Sequence, residues 1–293
     1  MSELRSSRGP RGIGRWAIAR LLIFVIVLMA AYLGLQVGFS MVVPHGTGPT
    51  HDLIKAGAVI VMSLIMFGLY ALLVRWLEAR SATELQLVSA APNLIVGIAI
   101  GAGLFVAVYA VLGLMGVVRI EGMAGQAGLL GAIAGAAFAS VGEELLMRGG
   151  MFRIIEDMAG TLVAVLVSAA VFGLLHSANK GATLVSSVSV ALEAGVLLGI
   201  AYALTRSLWL PIGLHFGWNF TEGGVFGAAV SGGQSHGLVK VAVAGPNLLT
   251  GAAFGPEASV VAVGLSLLVA VIMAGLTVRR GNWKPLTFRM RLS

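Results

Sequence analysis

Apolar residues fill block after block of this chain, with few polar positions inside any block and none of the strict alternation of a half-buried strand. Blocks long enough to cross the roughly 30 Å hydrocarbon core of a bilayer recur at about 17 to 43, 54 to 76, 91 to 118, 127 to 157, 161 to 178, 183 to 205, 210 to 230 and 257 to 278. The pattern predicts an all-α polytopic membrane protein of about eight transmembrane helices. The breaks carry turn chemistry: Pro44 to Pro49, Ala91-Pro92-Asn93, Ala159-Gly160-Thr161 and Leu210-Pro211. One long connection, the Gly-rich and polar stretch from Ser231 to Gly255, is expected to be partly disordered or to lie over the mouth of a site.

Composition sharpens this picture. The 293 residues are 58% hydrophobic and 11% charged, with a mean hydropathy of +0.97, and leave no stretch for a separate soluble domain. Residues 1–16 form a basic tail, 17–278 the helical domain and 279–293 a second basic tail. The net charge of +7 does not point to nucleic acid, because the basic residues gather at helix ends, where anionic headgroups explain them. With both termini in the cytoplasm, only Lys55, Arg119, Lys180 and Lys240 of the 19 Lys and Arg fall on outer segments, as the positive-inside rule asks of a plasma-membrane protein. The first apolar run is too long for a cleavable signal and is expected to be a retained helix. Cysteine is absent, which removes thiolate nucleophiles and cysteine-ligated metals. Gly97/Gly101 and Gly131/Gly135 have the small-xxx-small spacing of close helix packing, and the scattered methionines read as core filler.

Against that background the polar residues inside the blocks stand out. Glu143, Glu144 and Arg148 fall within six residues; facing lipid, they would together cost roughly 8 to 10 kcal/mol at about 2.5 to 3.5 kcal/mol each. They must face inward, into a polar cavity. Glu144 and Arg148 are i, i+4 with the acid first, the favourable order for a pair, and Glu143, about 100° around the helix, is left for chemistry. If Met158 to Gly160 turns the chain between antiparallel helices, Glu143 and His176 lie at equal depth and could share one water. His215 and Asn219 share a face of a later helix opened by Pro211, whose positive end favours a developing negative charge. Glu193 and Glu222 could extend the site or serve as structural partners and stay outside the catalytic core; His45, His51 and His236 fall in loops and are expected to be solvated.

The ordered set Glu143-Glu144-x-x-x-Arg148, Phe172-x-x-x-His176 and His215-x-x-x-Asn219 resembles the motifs of the CPBP family, the CAAX-protease and bacteriocin-processing membrane endopeptidases, with the match carried by about 127 to 222. The resemblance implies hydrolysis of peptide bonds in or beside the membrane, on membrane-associated or prenylated-type peptides. Glu143 would activate water with help from His176, His215 and Asn219 would hold the oxyanion, and Glu144 and Arg148 would brace the first helix. The family is described both as metalloproteases and as glutamate-dependent enzymes. No cofactor is the preferred reading here, since the His-Glu-x-x-His spacing of many zinc sites is missing; the alternative is zinc held by Glu143, His176 and His215. A rival from another class is a transporter or scaffold that uses the buried Glu and His for ions or protons. One tension remains in this reading. His215 lies only four residues after Pro211, whereas Glu143 and His176 lie about 24 Å from their shared turn, so either the 206 to 211 connection dips into the membrane or the fourth helix breaks near Gly149-Gly150.

Overall fold

A computed structural model describes residues 16–43, 48–126 and 128–288. The tail arginines Arg5, Arg8, Arg11, Arg15, Arg289 and Arg291, most of the break at Pro44 and the loop residue His45 lie outside the described residues. The chain is 75% helical. Helices α1 (Ala17–Val42), α2 (Pro49–Glu78), α3 (Ala90–Leu114), α4 (Leu129–Ala159), α5 (Thr161–His176), α6 (Leu184–Thr205), α7 (Trp209–Asn219) and α8 (Val260–Arg279) coincide with the eight apolar blocks. Among the described residues six of them are long and apolar enough to cross a membrane, so the count of eight spans is not reached: α5 has 16 residues and α7 has 11 before it changes winding. The protein is an all-α, multi-pass membrane protein.

Burial sorts the helices. The apolar stretch of α6 is 61% buried and that of α4 50%, against 17% for α1 and 28% for α2 and α8, so α4 and α6 form the centre and the others present leucine and isoleucine outward. Helices α3 and α7 approach most closely. A Cβ on Gly97 or Gly101 would collide with the carbonyls of Leu210 and Leu214, and one on Gly213 or Gly217 with those of Leu94 and Ile98, so two four-residue glycine spacings interlock. Gly131 and Gly135 behave otherwise: nothing lies within 4 Å of a Cβ at Gly135, and Gly131 faces the side chains of Lys55 and Asp52, so this pair borders a cavity instead of a helix.

Three helices change to π-helical winding beside polar residues: α4 over Leu145–Phe152, directly after Glu143-Glu144; α6 over Ala191–Gly195, around Glu193; and the continuation of α7 over Phe220–Val225, around Glu222. Such turns re-aim side chains without ending the helix. Helix α4 therefore passes through Gly149-Gly150 unbroken, and the bare glycines admit the Tyr70 and Phe24 side chains. The depth tension is resolved mainly at the other element. Leu208 N–H, at the start of α7, donates to the carbonyl of Glu84 (2.9 Å), and Glu84 in turn lies 3.5 Å from Arg153. Helix α7 thus starts level with Arg153, about two turns short of the end of α4, which brings His215 down to Glu143.

The connection after α7 is ordered where described. Strand β2 (Val239–Val243) pairs antiparallel with β1 (Val118–Met123), a strand that falls in the break between the third and fourth apolar blocks and was not anticipated. The segment after α8 is docked as well: Lys284 and Thr161 exchange hydrogen bonds, and the Lys284 ammonium lies 2.5 Å from Asp157. His236 is exposed and His51 half-buried.

Candidate active site

The three motifs are joined by side-chain contacts that hold α4, α5, α6 and α7 together. Arg148, fully buried, donates from Nη1 to Glu144 Oε1 (3.0 Å) and from Nη2 to the carbonyls of Ala194 and Gly195 on α6 (both 3.1 Å). Its guanidinium stands 4.8 Å from the centre of the Phe172 ring. Phe172 is thus a cation–π platform for the arginine, a function the sequence did not give it. Glu144 Oε1 also meets His215 Nδ1 at 3.0 Å. A carboxylate already paired with arginine can only accept, so His215 carries its proton on Nδ1 and turns Nε2 toward the site. Glu144 therefore does more than brace its own helix: it orients an imidazole 71 positions away.

Glu143 approaches from the other side of that ring. Its Oε2 lies 4.0 Å from His215 Nε2 and has no hydrogen-bond partner among the described residues, while its Oε1 accepts a hydrogen bond from the Tyr32 hydroxyl of α1 (3.2 Å). Tyr32, stacked on Phe138, was not anticipated; a lone tyrosine in an apolar run gives no signal of its target. Tyr32 and Phe138 also line a cavity of about 370 Å³ between α1, α2 and α4, along with Phe39, Val59 and Met62.

His176 is the last residue of α5, and its Nδ1–H donates to the Phe172 carbonyl (2.8 Å), which leaves Nε2 free to accept a proton. The turn at Gly160 joins α4 and α5 as the sequence suggested, with φ of +86° at a glycine where a Cβ would strike Pro285. Glu143 and His176 are not hydrogen-bonded to each other, however. His176 borders a second, small cavity with His215, Asn219 and Trp218, and Glu143 is not in its wall; His215 is common to both sides. This cavity offers about 20 Å³ to the centres of water molecules, room for roughly one. Glu193 and Glu257 line it too; Glu257, at the first position of the last apolar block, was missed.

As a metal site the donors do not converge. Among the described residues no three His, Asp or Glu side chains are gathered to hold an ion, and Glu143 is absent from the wall of the cavity that His176 and His215 share. The residues do not fit the zinc alternative as they stand.

Residues 125–221 match a family model described as type II CAAX prenyl endopeptidase Rce1-like. A search of curated proteins gave no match. The matched segment contains all three motifs and bears out the resemblance to the CPBP endopeptidases.

Proposed function

From the premise that residues 125–221 carry a domain of this membrane peptidase family, we propose that the chain is an intramembrane endopeptidase in which Glu143 is the general base. One observation carries the reading: a buried carboxylate oxygen without a partner faces, at 4.0 Å, the Nε2 of an imidazole whose other nitrogen is tied to a salt-bridged glutamate. A water between them would lose a proton to Glu143 Oε2 as its oxygen attacks the peptide carbonyl. His215, held at Nδ1 by Glu144 and donating from Nε2 as the imidazolium, and Asn219, one turn further along α7, then hold the oxyanion, a contribution of about 3 to 4 kcal/mol per well-placed donor. His176, free at Nε2, accepts and returns protons from the cavity side. Arg148 and Phe172 keep this arrangement rigid and are positioning residues.

The 370 Å³ cavity that ends at Tyr32, beside Glu143, has apolar walls suited to a membrane-borne or prenylated peptide. That supports the CAAX-type substrates named for the family over a water-soluble peptide. The mechanism uses no metal; stoichiometric zinc in purified protein, with activity lost on chelation and restored by zinc, would overturn that part. Both termini are assigned to the cytoplasmic side of the plasma membrane from the distribution of basic residues. The central test is cleavage of a membrane-peptide library by the purified protein in detergent, with Glu143→Gln as partner. Cleavage lost in the variant supports the reading, and a folded wild type that cleaves nothing leaves the transporter or scaffold as the better account.

A further inference from the structure

The mechanism above leaves one proton unassigned. Peptide hydrolysis needs a base for the water and also an acid for the departing amine, and the small cavity holds two acids that have no part so far. Glu193 is only 3% exposed, lines the cavity with His176, His215 and Asn219, and makes no side-chain hydrogen bond among the described residues. The π-helical turn at Ala191–Gly195 aims it there.

Glu257, also 3% exposed, lines the same cavity and differs in its support. Its Oε1 accepts the Ser231 N–H (2.7 Å), and it lies two residues before Ser259, the residue whose hydroxyl caps the 20-residue α8. A backbone donor and a helix start both favour the anion. Glu222, fully buried on the π-helical continuation of α7, is linked to this pair: its Oε1 accepts the Glu257 N–H (3.3 Å) and its Oε2 has no partner.

No basic side chain contacts any of the three carboxyls among the described residues. Around Glu193, helix α5 brings only His176, α8 brings no charge before Arg279, and the 256–258 turn brings Glu257. Helix α4 brings Arg148, which bonds the carbonyls of Ala194 and Gly195 but has its charge matched by Glu144. Several carboxylates sharing a dry site without a cation cannot all ionise. Of the two that line the cavity, Glu257 has a backbone donor, the Ser231 N–H, and Glu193 has none, so Glu193 is the better seat for a proton.

We propose that Glu193 is the acid that protonates the departing amine, with Glu257 as the neighbouring anion that keeps that proton in place. The assignment rests on the peptidase reading above. Water gives one proton to Glu143 as its oxygen bonds to the carbonyl carbon; when the C–N bond breaks, the electron pair stays on nitrogen, which takes a proton relayed from Glu193 through the one water the small cavity admits. The proton held by Glu143 then returns to Glu193 by way of His215, which borders both, so that the net change is addition of water across the bond. The room for about one water suits a proton path and is too small for a substrate side chain.

The test compares two substrates with one acyl peptide: the amide, whose leaving group needs a proton, and its p-nitrophenyl ester, whose leaving group does not. With full-length protein in detergent, Glu193→Gln is expected to slow amide cleavage on the order of 10²-fold or more and ester cleavage by less than about threefold. Equal losses on both substrates, or an undiminished amide rate, overturn the proposal. If Glu193→Gln fails to fold, the wild type decides: amide cleavage falls on the alkaline side and ester cleavage does not, whereas the same alkaline limb for both overturns it. Glu143→Gln separates the two readings, because amide hydrolysis that survives in that variant sinks the peptidase mechanism itself.

Discussion

Two clusters of buried glutamate and arginine lie along α4, centred on arginines five residues apart, and they use the same residue types to opposite ends. At Arg153 the acids are saturated: its Nη1 and Nη2 grip both oxygens of Glu78 (2.8 and 2.6 Å), Arg20 stands 3.6 Å from the same carboxylate, and Arg80 bridges Glu78 to Glu84, which also accepts from the Tyr70 hydroxyl. At Arg148 only Glu144 is ion-paired, through one oxygen, and among the described residues Glu143 has no cation of the arginine or lysine kind and keeps a buried oxygen with no partner, as does the second oxygen of Glu144. The first cluster ties α1, α2, the 79–89 connection and α4 together and has no valence left for a substrate. The second leaves a buried carboxylate oxygen open. A charge in a membrane protein is a candidate for chemistry when the fold withholds its partner, and a structural tie when the fold supplies several.

The sharpest way to break this contrast is to remove the two key side chains in turn. Glu143→Gln should lower the rate of peptide cleavage on the order of 10²- to 10⁴-fold and leave the melting temperature in detergent nearly unchanged, since the amide oxygen can still accept from Tyr32 and no arginine or lysine is left unpaired. Arg153→Ala should do the reverse: it takes from Glu78 its two-pronged partner, leaving only Arg20 and the half-exposed Arg80, and destabilises by about 3 kcal/mol, while the fraction that stays folded retains its specific activity. Melting curves alongside cleavage assays check both, and a loss of activity without loss of stability in Arg153→Ala would erase the distinction.

Acid titration is a gentler probe of the saturated cluster. Burial alone would raise the Glu84 carboxyl, but its hydrogen bonds from Arg80 and the charge of Arg153 prevail and hold it down at about 2. A group depressed in the folded state stabilises above its unfolded value and loses that contribution as the pH falls through the folded one. Stability should therefore decline between about pH 4.5 and 2, and Glu84→Gln should flatten that decline in melting temperature against pH. The smallest effects belong to the glycines that frame the site. Gly101→Ala, driven into the Leu214 carbonyl, should destabilise by about 1 to 3 kcal/mol, whereas Gly135→Ala, with open space around it, should stay within about 0.5 kcal/mol.

Much of this was legible beforehand because membrane physics writes it into local sequence. The eight apolar blocks reappear as helices, the Glu144–Arg148 pair forms where i, i+4 geometry puts it, and Gly160 turns the chain between α4 and α5. What failed was everything that needed a distant neighbour. Gly97/Gly101 and Gly131/Gly135 look alike in the sequence, yet one pair packs on α7 and the other borders a cavity. The pattern also marked Arg153 as merely another basic residue near a helix end, although it anchors the saturated cluster.

The sequence by itself determined which residues could not face lipid, because the cost of a charge in hydrocarbon depends on residue type and position alone. Which of those residues are satisfied only the tertiary structure decided. Glu144 meets His215, Arg148 meets Phe172 and the α6 carbonyls, and Glu193 meets the cavity without a partner, through contacts between helices far apart in the chain. Partnership depends on helix depth, winding and rotation, and the recessed start of α7 and the three π-helical turns set these without leaving a periodic mark in the order of residues.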